Sequence, residues 1–434
     1  MALAIRAWAI AQPPSHLRDP VSFALPPEPP MSAVRPFRAW RAPSALAAQV
    51  IAPPYDVMSE DEARVIVQEN PSSFVRVSRP EAVMPPGSDS HSAEAYATAR
   101  REYDGLKARG LIVQDPTESY YLYGQQMGEQ RQVGLVACFS TEEYDSGLIK
   151  RHEFTRPDKE KDRIAHINAT NGQTGMVFLA YRDDVKLNML LAEGQKQAPE
   201  FEVTTEDGVI HTLWRISDPG TVNRISEAAR ALPATYVADG HHRSAAASLV
   251  HKERAGKPGR HGWFVACLFP SSILNILAYN RAVKDLNGHT PAGLLTAIQA
   301  AGFDVAPTSL TVPPRRGSAT MYLDGAWLLL TARDVPADPV AALDVSMLQD
   351  RVLGPLLNID NPRTNKRIDF IGGIRGAGEL VKLVDSGSHA VAFHMFPTQM
   401  DQLLAVADAG QVMPPKSTWF EPKLRDAVAM HELE

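Results

Sequence analysis

The sequence is poor in cysteine, in long apolar runs and in net positive charge. Its 434 residues contain two cysteines, Cys138 and Cys267, too few for a disulfide framework or a structural zinc site. No window approaches the roughly 18 consecutive apolar residues of a membrane-spanning helix. The 44 basic side chains are outnumbered by 50 acidic ones, and this disfavours general nucleic-acid binding, which normally needs a basic face. These absences predict a cytoplasmic protein with no membrane partner.

Two familiar catalytic motifs are also missing. The chain has no G-x-x-x-x-G-K-[ST] loop, which excludes a Walker-type nucleotide site, and no H-E-x-x-H spacing, which argues against a zinc protease. The glycine-rich run Ile371–Gly378 lacks the dinucleotide-binding spacing, and we interpret it as a turn or the entry to a helix.

Proline is abundant, with 34 residues, or about 8% against a usual ~5%. Three Pro-Pro doublets fall within residues 1–30 and suppress both helix and strand, so this segment is predicted to be a disordered tail. The apolar run after Arg6 is too short for a signal peptide. Met31 is a second candidate for the natural start, and an ordered arm that packs on the body is the alternative.

The rest of the chain alternates between helical and strand patterns. Ser59 followed by acidic residues predicts a helix over 59–69, and a periodic run predicts another over 91–109. Two strand-like runs, 120–126 and 132–140, are separated by a glycine-containing turn and predict a hairpin. Because strands and helices interleave without a fixed repeat, the sequence predicts a mixed α+β body rather than a doubly wound sheet.

The most informative stretch begins with a short apolar strand that ends at Asp239. An alanine-rich helix follows within two or three residues, so free backbone N–H groups and the positive end of the helix dipole lie beside Gly240, His241, His242 and Arg243. Proteins hold phosphate in this way. Asp239 at the strand end is a candidate to bind Mg²⁺ or to orient a hydroxyl group. The alternative is an Asp-capped helix with surface histidines.

A second candidate carboxylate is Glu153. It follows His152 and precedes an aromatic residue, outside any helical salt-bridge register, so we predict that it is presented to a site. Such a carboxylate can accept the proton of an attacking hydroxyl group. The charges at 159–163 alternate in sign, which favours a solvated helix face.

Weaker candidates for substrate binding are Tyr55, Asp56, His152 and Lys416. Tyr55 and Asp56 follow a double proline, where a rigid backbone presents them to a pocket or simply forms a capped turn. Lys416 also follows two prolines and would add a cation to an anion site.

An ordered set of motifs resembles a large prokaryotic family, domain of unknown function 1015. The resemblance covers the chain from Met31 to about Arg425, and its motifs are Arg35–Ala39, Pro53–Asp56, Arg151–Thr155, Asp239–Arg243 and Met413–Phe420. The His-Glu and Asp-Gly-His-His-Arg motifs are similar, more distantly, to those of free L-serine kinases built on the ParB/sulfiredoxin-type core.

This resemblance implies both a fold and a set of roles. Gly240, His241, His242 and Arg243 would bind nucleotide phosphates, and Glu153 and Asp239 would be the catalytic carboxylates. The fold would be a ParB/sulfiredoxin-like core with large additional mixed-sheet segments. We therefore expect an N-terminal α+β region over 31–145, and over 146–434 the phosphate-binding core with a C-terminal α+β region.

The leading functional hypothesis is a kinase that acts on free L-serine or a similar hydroxy amino acid, with ATP or ADP and Mg²⁺. One alternative is a phosphoserine phosphatase-like hydrolase. The other is a ParB-like nucleotide-responsive DNA-binding or regulatory protein, which shares the phosphate loop but predicts a basic helix-turn-helix segment. The acidic balance disfavours the last alternative. The oligomeric state is not predicted.

Overall fold

The computed structural model describes residues 33–434, so the predicted tail and the second candidate start lie outside the described residues. The first part of the described chain contains β1 (Val34–Arg35), β2 (Trp40–Arg41), α1 (Ala47–Val50), α2 (Glu60–Glu69), α3 (Val75–Ser78), α4 (Ala93–Ala108), β3 (Val113–Gln114), β4 (Tyr120–Met127), β5 (Gln130–Ser140), α5 (Thr141–Ser146), β6 (Ile149–Lys150), α6 (Pro157–Thr170), β7 (Gly172–Gln173), β8 (Val177–Tyr181), α7 (Val185–Gly194), β9 (Phe201–Thr204), β10 (Ile210–Ile216), α8 (Pro219–Arg230), β11 (Thr235–Asp239) and α9 (His241–Glu253). The second part contains β12 (Trp263–Pro270), β13 (Asn275–Leu277), β14 (Tyr279–Val283), α10 (Pro291–Ala300), β15 (Phe303–Pro307), β16 (Ser318–Leu323), β17 (Ala326–Ala332), α11 (Asp344–Leu348), β18 (Ile368–Gly372), α12 (Gly376–Asp385), β19 (Val391–Met395), α13 (Met400–Asp408), β20 (Trp419–Glu421) and β21 (His431–Glu432).

A nine-stranded mixed sheet combines strands of the first part with β12 of the second part. Its order is β6-β11-β8-β12-β5-β4-β10-β9, and β1 also pairs with β5. Two contacts are parallel, β6 with β11 and β8 with β12, and the others are antiparallel. The predicted hairpin is confirmed in β4 and β5, where Tyr121 lies opposite Val136.

Both faces of this sheet are buried. In β4, Tyr121 and Tyr123 belong to one apolar cluster, while Tyr120 and Leu122 belong to another. Successive side chains of a strand point to opposite faces, so a sheet covered on both sides needs apolar residues at nearly every position. This explains why the strand segments of the sequence are continuous apolar runs.

A second, six-stranded sheet organises the later part. Its order is β15-β17-β16-β19-β14-β18, and every pair in it is antiparallel. One sheet is mixed and the other is antiparallel, and helices interleave with the strands of both. The structure therefore confirms the predicted mixed α+β class.

The predicted helix over 59–69 is also confirmed, as α2. The Ser59 hydroxyl accepts a hydrogen bond from the Glu62 N–H at 3.2 Å, and the Glu62 carboxylate accepts one from the Ser59 N–H at 2.7 Å. This reciprocal pair satisfies two N–H groups that the helix itself leaves without a partner, so the helix begins there.

The nine-stranded sheet continues across the predicted boundary between residues 145 and 146. β4 and β5 precede that position, and β8, β11 and β12 follow it in the same sheet. The division into domains stays a prediction, and main-chain hydrogen bonds join the two proposed parts.

The C-terminal segment, residues 413–434, returns from the second sheet to the first. The Met413 N–H donates to the His152 carbonyl at 2.8 Å, and β20 and β21 pair with β13 and β7. Asp426 and Ala52 exchange two backbone hydrogen bonds, at 2.8 and 3.2 Å. The segment therefore fixes the double-proline loop and the His152–Glu153 turn in one place.

None of the helices in the described part of the chain is long and apolar enough to cross a membrane.

Candidate functional site

The strand-to-helix junction predicted from the sequence is present between β11 and α9. β11 ends at Asp239, and Gly240 caps the helix with a φ of 88°. This left-handed conformation is readily adopted by glycine alone, because a Cβ atom strains it. One carboxylate oxygen of Asp239 accepts from the Gly240 N–H at 2.7 Å, which holds the side chain at the turn.

The other oxygen of Asp239 contacts Lys423 of the C-terminal segment. The Lys423 Nζ lies 2.5 Å from Asp239 Oδ2 and 5.2 Å from the centre of the Trp419 ring. Burial alone would raise the pKa of Asp239, but the Lys423 ammonium and the Gly240 N–H outweigh it and lower the pKa to about 2. Asp239 is therefore ionised at neutral pH.

Arg243 is paired in the same way with Asp426. Its Nη2 lies 2.9 Å from Asp426 Oδ1, and its Cζ lies 5.3 Å from the centre of the Tyr55 ring. Asp426 is 2% exposed. Gly175 makes room for the pair, since a Cβ atom there would fall 1.5 Å from Arg243 Nη1. The guanidinium is thus held rigidly between a carboxylate and an aromatic ring.

The three histidines near this junction have different environments. His152 and His241 are buried, with their rings edge to face and their centroids 4.6 Å apart. Burial lowers the pKa of His152 to about 4 and that of His241 well below its ordinary value, so both are neutral at pH 7. His242 is half-buried, and its Nε2 accepts from the Arg156 N–H at 3.1 Å.

A cavity of about 920 Å³ adjoins the junction. Five of the predicted residues line it, and these are Tyr55, Asp56, Glu153, His242 and Lys416. The other predicted residues are not part of its lining, and these are His152, Asp239, Gly240, His241 and Arg243. The residues predicted from the sequence therefore fall into two groups, one that lines the cavity and one that does not.

Glu153 is a half-buried carboxylate on the cavity wall, and the exposed Asp56 lies on the same lining. Among the described residues, Glu153 makes no hydrogen bond or ion pair. Burial raises its pKa, and the Asp239 carboxylate adds to the effect, while Lys416, Arg363 and Lys423 oppose it. A carboxylate with a raised pKa and free oxygens is suited to take up a proton.

Cations outnumber carboxylates on the cavity wall, by six to four. Three of the cations are ion-paired: Arg79 with Glu81, Arg156 with Asp158, and Arg163 with Asp162. The remaining three have no carboxylate within 4 Å in the described part of the chain, and these are Lys159, Arg363 and Lys416. The wall can therefore attract an anionic ligand.

The solvated helix face predicted over 159–163 is wrong at two positions. Asp162 and Arg163 are buried, with their charges paired at 2.8 Å. Arg163 Cζ lies 3.8 Å from the centre of the Tyr55 ring, and the Tyr96 hydroxyl donates to Asp162 at 3.0 Å. The two charges neutralise each other and are shielded by aromatic rings, and this allows both side chains to be buried. An alternating charge pattern in the sequence does not reveal such burial.

The side chains that the structure describes do not form a metal site of their own. Lys423 and the Gly240 N–H already take the two oxygens of Asp239. No group of three His, Cys, Asp or Glu residues within 33–434 is arranged to hold a metal ion. We therefore assign no step to a protein-bound Mg²⁺, and the predicted metal role of Asp239 stays a prediction.

Five residues of this region were missed by the sequence analysis, and these are Arg163, Gly175, Arg363, Lys423 and Asp426. Lys423 and Asp426 lie only a few positions after the motif Met413–Phe420. That proximity was the available signal, but the pairing of these residues with Asp239 and Arg243 depends on a chain reversal that no local pattern encodes.

Comparison with solved structures finds distant similarities. A free serine kinase variant in complex with AMP is 10% identical, with a TM-score of 0.37, and the match covers 69% of this chain and 92% of that one. The protein SbnI from Staphylococcus aureus, with a C-terminal truncation, is 11% identical, with a TM-score of 0.39 and coverages of 68% and 87%. A conserved hypothetical protein from Pyrococcus furiosus is 11% identical, with a TM-score of 0.34 and coverages of 68% and 94%.

Free serine kinases are thus among the similar structures, as the motifs predicted. No curated protein matches the chain. A family model described as "Protein of unknown function (DUF1015)" matches residues 34–346. With most of its length matched, the chain belongs to the DUF1015 family.

Proposed function

We propose that this protein is a phosphotransferase that moves a phosphoryl group from a nucleotide to the hydroxyl group of free L-serine or a similar hydroxy amino acid. The observation that carries the proposal is the state of Glu153, an unpartnered carboxylate with a raised pKa in a cavity rich in cations. A general base needs a free carboxylate of this kind within reach of the substrate hydroxyl.

The contrast between Glu153 and Asp239 supports this assignment. Lys423 keeps the pKa of Asp239 at about 2, whereas burial and the nearby Asp239 carboxylate raise the pKa of Glu153. Two carboxyl groups with divergent pKa values commonly divide the proton-transfer and charge-stabilising roles of an active site. In our proposal Glu153 accepts the proton of the acceptor hydroxyl group. The Asp239–Lys423 ion pair sets the electrostatic field at the site.

The nucleotide phosphates would lie near the start of α9. The first N–H groups of any helix precede its internal hydrogen bonds and carry a partial positive charge. His242 and Lys159 line the cavity and offer an imidazole and an ammonium group. His241 and Arg243 would support the site from outside the cavity lining, because His241 is buried and Arg243 is paired with Asp426.

The chemical step would follow directly from this arrangement. Glu153 takes the hydroxyl proton of the acceptor as the acceptor oxygen forms a bond to the terminal phosphorus of the nucleotide. The bond from that phosphorus to the bridging oxygen breaks, and the nucleotide leaves with one phosphate fewer. The cations of the wall offset the negative charge that develops. ATP or ADP is the donor that the motif resemblance implies, and Mg²⁺ would arrive bound to its phosphates.

The decisive experiment combines a substrate screen with two substitutions. The protein is incubated with ATP or ADP, Mg²⁺ and a panel of amino acids, and phosphorylated products are identified by mass spectrometry. Glu153→Gln should lower kcat by about 10² to 10⁴, the usual contribution of a general base, with no loss of thermal stability. Asp239→Asn should also abolish turnover.

Glu129→Gln is the matched control, since Glu129 is exposed in the turn between β4 and β5 and does not line the cavity. Near-normal turnover by Glu153→Gln would contradict the proposal. Release of inorganic phosphate from O-phospho-L-serine without any nucleotide would instead identify a hydrolase.

A further inference from the structure

The backbone of Lys416 is unusual for a lysine. Its φ is 59°, in the left-handed region that residues with a Cβ atom rarely adopt. Such strain costs free energy and persists only where the surroundings enforce it, which happens most often at functional sites.

Two side chains enforce this conformation. Arg281 Nη2 donates to the Lys416 carbonyl at 3.1 Å, and the Thr398 hydroxyl donates to the Ser417 carbonyl at 2.9 Å. The Ser417 hydroxyl closes the turn by donating to the Pro414 carbonyl at 2.7 Å. The loop that carries Lys416 is therefore fixed at both sides of the residue.

The burial of the Arg281 guanidinium group costs free energy. Arg281 is 3% exposed, and among the described residues it has no carboxylate within 4 Å, only carbonyl partners and the Phe370 ring at 5.3 Å. Burial lowers its pKa to about 10, so it stays charged at neutral pH. A buried cation without a counter-ion destabilises a fold. Its visible effect is to hold the Lys416 carbonyl and thereby the lysine.

Lys416 and Arg363 both line the cavity, in stretches that the second part of the chain supplies. The apolar side chains Ile368 and Phe370 line it as well. Within residues 33–434 neither cation has a carboxylate within 4 Å, and both act on the charge of Glu153. A guanidinium and an ammonium group beside the proposed base are suited to bind a carboxylate, the arginine through two parallel hydrogen bonds.

We propose that Lys416 and Arg363 form a subsite for the carboxylate of the acceptor, so that the substrate is a hydroxy acid with a free carboxylate and not a neutral alcohol or an amide. This inference rests on the proposed function, because it divides the cavity between an acceptor side and a nucleotide side at α9. Binding the carboxylate at this subsite would leave the acceptor hydroxyl near Glu153.

Three probes separate the parts of this proposal. L-serine carries both the carboxylate and the hydroxyl group, L-alanine lacks the hydroxyl group, and L-serinamide lacks the carboxylate. In the presence of AMP, which lacks the terminal phosphate of the proposed donors, calorimetry should show binding of L-serine and L-alanine, and binding of L-serinamide should be about tenfold weaker or more, as expected for the loss of a charge-assisted contact.

The variants are Lys416→Gly and Arg363→Met, with Lys366→Met as the control. Each of the first two should weaken L-serine and L-alanine binding about tenfold while leaving ADP binding unchanged. Lys416→Gly also removes the backbone strain, so its thermal stability should be equal or higher, and Lys416→Arg should restore part of the affinity. Lys366 lies in the same loop, is exposed and does not line the cavity, so its replacement should change nothing.

The outcomes distinguish the two proposals. If the variants weaken ADP binding as much as L-serine binding, or weaken neither, the subsite assignment is overturned even if the kinase reaction occurs. If L-serine and L-alanine bind and the variants abolish that binding, but no phosphorylated product forms, the subsite stands and the kinase proposal fails.

Discussion

Two regions of the candidate site differ in how their charges are satisfied. In the motif loop, residues 239–243, both charged side chains have protein partners, since Asp239 contacts Lys423 and Arg243 contacts Asp426. The open wall consists of Glu153, Lys159, Arg363 and Lys416, none of which is ion-paired within 33–434.

This difference indicates that the two regions serve different purposes. Paired charges are already neutralised and gain little from a ligand, but they hold a turn and a helix end in one geometry. Unpaired charges on a cavity wall remain available to a ligand of the opposite sign. We therefore expect the charged side chains of the motif loop, Asp239 and Arg243, to act as a scaffold, and we expect substrates to contact the open wall together with His242 and the first N–H groups of α9.

The largest effect on stability should come from breaking the Arg243 pair. Asp426→Ala leaves a largely buried guanidinium without its carboxylate and should lower the free energy of unfolding by about 3 kcal/mol, as measured by urea denaturation. The control is Asp401→Ala, which breaks the exposed pair between Arg316 and Asp401 and should cost no more than about 0.5 kcal/mol. Equal losses in the two variants would mean that the Arg243 pair is no more than a surface contact.

Gly175→Ala should have the next largest effect. The added Cβ atom would fall 1.5 Å from Arg243 Nη1 and 2.1 Å from Asp426 Oδ1, so the pair must move. Overpacking of this kind costs about 2 kcal/mol. Gly105→Ala is the matched control in α4, where a Cβ atom meets nothing within 4 Å, and it should stabilise the protein by about 0.5 to 1 kcal/mol. A neutral or stabilising Gly175→Ala would show that the pair has a second arrangement of equal energy.

The smallest effect should come from Lys423→Met, and it should depend on pH. The pKa of Asp239 is about 2 in the fold and about 3.9 in an unfolded chain, so its contribution to stability is complete above about pH 4 and is lost as the pH falls towards 2. The variant lacks this contribution. Its unfolding free energy should be lower than that of the natural sequence by up to about 1 kcal/mol at neutral pH, because both side chains keep some exposure.

The measurement for this variant is urea unfolding at several pH values between about 3 and 7, with Lys366→Met as a reference. The difference between the natural sequence and Lys423→Met should shrink below about pH 4. A difference that stays constant over that range would mean that Lys423 acts through packing on Trp419 and not through the charge of Asp239.

Local patterns predicted much of the fold. The Ser59 cap, the hairpin of β4 and β5, and the start of α9 after Asp239 are each determined by neighbouring residues, and the structure contains all three. The order of strands in the two sheets depends on contacts between distant parts of the chain. No local pattern indicated that the nine-stranded sheet continues past residue 145.

The candidate site, like the fold, was predictable from the sequence only in part. The motifs identified Glu153 and His242, which line the cavity, and Asp239 and Arg243, which lie beside it. They did not reveal that His152 and His241 are buried against each other, because a histidine in a charged motif has the same local pattern whether it faces solvent or a second ring. Lys423 and Asp426 escaped prediction because their partners lie more than 180 positions earlier in the chain.

The backbone pairing of Asp426 with Ala52 bears on how the protein is made. Synthesis from the N-terminus completes the double-proline loop, Glu153 and the Asp239–Arg243 motif long before residues 413–434 exist. A nascent or truncated chain that stops before residue 413 therefore contains the motifs without the counter-ions Lys423 and Asp426 and without Lys416. The site can assemble only after residues 413–426 have been synthesised, and a nick in this segment should act on activity as directly as a substitution in the cavity.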